Sequence, residues 1–131
     1  MYKQMTGTQK MVFMLLGTLI IEFIVGVLLT TVIAYDPSTQ NWFQTTILVI
    51  HMIIGAVLFF GSFIHLLNSR KTHAGPTPLI GFISIIGAFI TGGIAAGNGS
   101  DVAVLLMALF FAAAIVAYGI NYATLLNKKS S

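Results

Sequence analysis

Residues 43–67 read FQTTILVIHMIIGAVLFFGSFIHLL, with no Asp, Glu, Lys or Arg, and His51 and His65 are the only ionisable side chains in the run. At about 1.5 Å per residue such a run reaches across a hydrocarbon layer roughly 30 Å thick, so it is expected to be a transmembrane helix. Working outward, three more apolar runs flank it, at 11–34, 79–96 and 102–126, and the only acid inside any of them is Glu22. Each is long enough to span a bilayer, and the connecting segments are short, roughly 6 to 11 residues. The expected fold is therefore all-α: a single integral membrane domain over residues 1–131, folded as a four-helix transmembrane bundle running up-down-up-down.

Composition agrees with this reading. The chain is 57% hydrophobic and 7% charged, with mean hydropathy +0.98, values that exclude a soluble globular domain. No extramembrane segment is large enough to house a catalytic domain, so any chemistry belongs inside the bilayer or at its surface, and a catalytic activity of the chain's own is not expected. The first apolar run is too long for a signal-peptide core, and no Ala-x-Ala site follows it, so it is expected to be retained. With no cysteine in the chain, disulfides and thiolate-bound clusters are excluded.

The charges predict an orientation. Lys3 and Lys10 precede the first run, Arg70 and Lys71 follow the second, and Lys128 and Lys129 follow the fourth. All six basic residues then fall on one side, which places both termini in the cytoplasm (N-in, C-in) in the cell membrane. The opposite loops hold Asp36 and Asp101, with Tyr35 and Trp42 at the level of an interfacial aromatic belt. The pI of about 9.5 arises from this bias and is no nucleic-acid footprint. Helix ends are legible too. YDPSTQNW can stop one helix and cap the next, Pro78 suits a first helical turn, and Ser100 or Asp101 can cap the last helix. Gly93-x-x-x-Gly97 and Ala108-x-x-x-Ala112, with Gly17, Gly26, Gly55, Gly61, Gly81, Gly87 and Gly119, are the small residues expected to let neighbouring helices approach closely.

Glu22 and His51 are the strongly polar groups placed deep in the apolar zone. Ionisable side chains there are costly, so they are expected to face the interior and to have a partner. Counted from the outer ends of their helices they lie about 18 Å and about 12 Å deep, an offset of roughly one turn that two long side chains can bridge. Thr18, Glu22 and Gly26 share a helix face. A Glu–His pair in this position is open to three readings: a metal or haem ligand oriented by a carboxylate, a proton relay, or a structural link between the first two helices.

His65 follows His51 by 14 residues. At 100° per residue the two rings come within about 40° of the same face, on a stripe with Gly55, Leu58 and Ser62. The spacing resembles the histidine pair of the transmembrane cytochrome b families, in which each histidine ligates a b haem near one membrane face. That resemblance covers the second helix and implies haem b, with His51 and His65 as ligands of its iron and an electron-transfer role. The other three helices contain no histidine, so a second axial ligand must come from Met107, from a second copy of the chain in a homodimer, or from a partner subunit. Met107 also heads a helical stripe with Phe111, Ala114, Tyr118 and Asn121, a pattern that core packing explains equally well. His65 lies near the inner interface, where an imidazole is tolerated without a ligand, and His73 falls in the basic loop.

A wider resemblance rests on IEFIVG in the first helix, HMIIG in the second, the Gly/Asn-rich end of the third and DVAVLLMA opening the fourth. These are similar to a group of small four-helix membrane proteins of archaea and bacteria, which implies the same topology and singles out Glu22, His51 and Asp101. Two functions follow as expectations: a haem-binding electron-transfer module, or a non-catalytic accessory subunit of a larger membrane assembly such as a respiratory complex or a membrane monooxygenase. A small transporter or channel ranks below both, because matched discontinuous helices and a ring of polar residues are missing.

Overall fold

A computed structural model describes residues 5–32, 41–70 and 75–127. They form four helices: α1 (Gly7–Val27), prolonged by a π-helical turn (Leu28–Val32), α2 (Trp42–Arg70), α3 (Thr77–Asn98) and α4 (Asp101–Asn127). No strand occurs among the described residues. Lys3, Tyr35, Asp36, Lys71, His73, Lys128 and Lys129 lie outside them.

Local caps set the boundaries and move some of them from their expected places. α1 begins at Gly7 because Thr6 and Gln9 form a reciprocal capping box: the Gln9 N–H donates to Thr6 Oγ1 at 3.3 Å and the Thr6 N–H to Gln9 Oε1 at 2.9 Å. Asn41 and Gln44 repeat the device at the start of α2, with N–H···O distances of 3.0 and 3.2 Å. Pro78 sits in the first turn of α3 as expected. Gly99, at φ 67°, closes that helix by donating to the Ala95 carbonyl at 2.8 Å. Of the two candidate caps for α4, Ser100 performs the role, its hydroxyl accepting from the Ala103 N–H at 3.3 Å, while Asp101 occupies the first turn.

α1 packs on α2 and α4, and α3 packs on the same two helices, most extensively on α4, so α2 and α4 stand across a diagonal of the bundle. Their shared interior is apolar: Val12, Leu15, Leu19, Leu58, Ile85, Phe111 and Ala114 are buried at its centre. Large apolar side chains such as Ile21, Ile53, Phe60, Ile83 and Leu109 cover the outside, the distribution expected where the solvent is lipid. All four helices are long and apolar enough to cross a membrane, the pattern of a multi-pass membrane protein.

The α3–α4 seam uses some of the expected small residues and not others. A Cβ on Gly93 or Gly97 would meet no atom within 4 Å, so those glycines are not the contact. Gly81, Gly87 and Gly92 are, because each receives a large α4 side chain: a Cβ would lie 2.7 Å from the Tyr118 ring, 2.7 Å from the Phe110 ring and 3.0 Å from Met107 Sδ, respectively. The glycines thus act as sockets for particular residues. The α2–α3 seam is aromatic, with the Phe59 ring centroid 5.7 Å from that of Phe82 and 6.3 Å from that of Phe89.

Candidate functional site

The helical period of α1 turns Glu22 and Gly26 inward together, and that of α2 turns His51 toward them. Glu22 Oε1 lies 3.0 Å from His51 Nδ1; the carboxylate is buried to 1% exposure and the imidazole to 13%. The pairing expected from their depths is therefore made. Its geometry is that of a close polar contact set off the N–H axis, since Nδ1 has no in-line hydrogen-bond partner; Glu22 Oε2 has none either. Glycines shape the surroundings. A Cβ on Gly55 would stand 3.3 Å from Glu22 Oε1, and one on Gly26 would stand 3.3 Å from His51 Cε1 and 3.9 Å from the Met107 methyl. The space kept by Gly55 thus serves the carboxylate of α1 rather than the imidazole of its own helix, while Gly26 serves the imidazole.

Two cavities meet at this group. One, of about 230 Å³, lies between α2 and α3 and is bordered by Glu22, His51, Gly55, Phe89, Gly92 and Met107. The other, of about 460 Å³, runs from His51 and Met107 past Gly26 and Thr30 to Gly99 and Asp101 at the end of the bundle. The larger one falls within the roughly 300–1,000 Å³ typical of small-ligand sites. The π turn of α1 lies on its wall through Leu29 and Thr30, and Thr30 Oγ1 donates to the Gly26 carbonyl at 3.1 Å, one of the backbone oxygens near that irregular turn.

His65 is placed elsewhere. It points inward as the stripe predicts but is fully buried, its ring centroid 5.9 Å from that of Tyr118 and its Nε2 3.4 Å from Asn121 Nδ2. With the amide nitrogen as donor, Nε2 accepts and the ring proton resides on Nδ1, which has no hydrogen-bond partner. Neither cavity reaches it. Ser62, Ser69 and Gln9 are buried in this half of the bundle, Gln9 donating to the Leu125 carbonyl at 2.9 Å. The interior thus carries two polar layers, Glu22–His51–Met107 and His65–Tyr118–Asn121, with Leu19, Leu58, Ile85 and Phe111 in the core between them. Of the four candidate residues, Glu22, His51 and Met107 come together and His65 stays apart. Among the described residues, no three His, Cys, Asp or Glu side chains group closely enough to hold a metal ion on their own.

Chemically, the first layer offers an imidazole whose Nδ1 faces a carboxylate while the ring also borders both cavities. A carboxylate beside one ring nitrogen orients the ring and leaves the other nitrogen turned away from it, an arrangement that suits an imidazole to ligate. Sequence reasoning did not place Gly92 or the π turn at the site. Gly26 had been visible as a companion of Glu22 on one helix face. Comparison of the chain with protein families, with curated proteins and with solved structures finds no match.

Proposed function

We propose that the chain is a multi-pass protein of the cell membrane that holds b-type haem at His51 and serves as a small electron-transfer module. The observation that supports this reading most is the Glu22 contact on His51 Nδ1, which leaves Nε2 as the ligating nitrogen of a ring bordering two cavities. The residues suit such a group in the larger cavity: His51 supplies nitrogen and Met107 a thioether from the diagonal helix, and both border it. They fit it less well at His65, whose Nε2 is engaged by Asn121 and whose ring packs on Tyr118. Haem bound there would supply one-electron oxidation and reduction. His51 would bind the iron, Glu22 would orient the imidazole and offset its charge, and the leucine and phenylalanine core would exclude water. Because both imidazoles face the interior, this reading puts the haem inside one bundle rather than between two copies.

Contacts between late α1, early α2, late α3 and early α4 around Gly26, His51, Gly92 and Met107 favour the up-down-up-down course. With Lys10 and Arg70 at the opposite end, the same course favours both termini in the cytoplasm. A second reading, as an accessory subunit of a larger membrane complex, draws support from α2. Only 11% of its most apolar window is buried, against 33% for each of the other helices, which leaves a broad face for lipid or a partner.

The absorption spectrum of the purified protein tests the first reading. A Soret band with reduced α and β bands is expected, abolished in His51→Ala and retained in His65→Ala. A colourless protein without iron, isolated at fixed stoichiometry with a membrane enzyme, would replace the first reading by the second.

A further inference from the structure

We propose that the slot between α2 and α3 is a binding site for a membrane-dissolved phenol, its hydroxyl donating to Glu22 and its apolar tail lying outward among the lipid chains. Four observations carry this beyond the haem reading, and none depends on haem being present. Glu22 borders the slot and is 1% exposed, and its Oε2 has no hydrogen-bond partner, so a buried carboxyl group with an unmet acceptor forms part of the slot's wall. An unmet buried acceptor is unfavourable, and a hydroxyl donor satisfies it.

The slot also opens in the right direction. Met52 and Phe89, more than half exposed, and the exposed Gly93 lie on its wall and on the lipid-facing surface of the bundle. A ligand can therefore reach Glu22 from the bilayer. Its volume selects the head: about 230 Å³ exceeds the roughly 150 Å³ in which an apolar protein cavity holds benzene, and is below the usual range for drug-sized ligands. One substituted ring fits. Its walls select an aromatic one, since Phe89 and Phe111 present rings while Gly55 and Gly92 project no side chain into the space. An aliphatic alcohol would meet the acceptor but would forgo the ring contacts.

The test is equilibrium titration of the purified full-length protein in detergent with 4-heptylphenol, and with 4-heptylanisole, its methyl ether, which has the same ring and tail but no donor. Saturable binding is expected, at least tenfold tighter for the phenol. Glu22→Ala should remove that preference while leaving weak binding of both compounds. Gly93→Leu, at a position where an added Cβ meets no atom within 4 Å, should fill the slot and weaken both compounds at least tenfold without touching the Glu22–His51 contact. Equal binding of phenol and ether, non-saturable partition of both, or unchanged binding in Gly93→Leu would overturn the proposal. The comparison of phenol with ether uses the unaltered chain, so it stands even if Glu22→Ala fails to fold. A protein that shows no Soret band yet discriminates the two compounds keeps this site and loses the haem.

Discussion

Glu22 is held in a low-dielectric interior with His51 as its side-chain partner at 3.0 Å among the described residues, so each residue sets the cost of burying the other. Removing one partner of such a pair strands the second in the interior. The space around the pair is equally tight. Gly55→Leu should push the carboxylate off the imidazole and destabilise the bundle by about 1–3 kcal/mol, measured by reversible unfolding in mixed micelles; an unchanged midpoint would mean that Gly55 is no socket. The second polar contact is weaker. At 3.4 Å the His65–Asn121 approach is long for a hydrogen bond, and a double-mutant cycle with His65→Phe and Asn121→Leu should give a coupling of only about 0.6 kcal/mol, the average for such bonds between membrane helices. A coupling several times larger would show a network that this distance does not convey.

Among the elements, α3 is built to receive α4. Gly81→Ala should cost about 1–3 kcal/mol, because the new methyl would stand 2.7 Å from an aromatic ring that cannot yield without moving α4. Gly93→Ala, with no atom within 4 Å of the new Cβ, should change stability by less than about 0.5 kcal/mol. Equal effects at the two positions would contradict this packing. The sequence pattern of two glycines four residues apart pointed to Gly93 and Gly97 because spacing says which residues share a face, but not which face meets a neighbour. Helix ends are better signalled: the sequence points both to Pro78 in the first turn of α3 and to Ser100 as one of two candidate caps of α4. The Thr6–Gln9 and Asn41–Gln44 boxes became visible when both reciprocal bonds were seen.

For the whole molecule, orientation rests on charge. The chain has no cysteine, so single cysteines introduced beside Lys10, Arg70 and Lys128 and beside Asp101 can be labelled one at a time with a membrane-impermeant maleimide. In sealed right-side-out vesicles only the last is expected to react, and the first three only after permeabilisation. Labelling of any of the first three in intact vesicles would reverse the assignment.

The sequence by itself determined that four segments are apolar enough to leave water, because transfer of long uncharged helices into hydrocarbon depends on composition and length alone. It also determined that Glu22 and His51 cannot lie there unaccompanied, and that His51, Leu58, Ser62 and His65 share a face, since a helix repeats every 3.6 residues. Only the tertiary structure decided which of those residues meet: Glu22 reaches His51, which borders two cavities together with Met107, whereas His65 is closed in by Tyr118 and Asn121. The physical reason is that contacts across a bundle are set by how neighbouring helices rotate and slide to fit glycine sockets against large side chains. That fit joins residues far apart in the chain, and no periodicity within one helix records it.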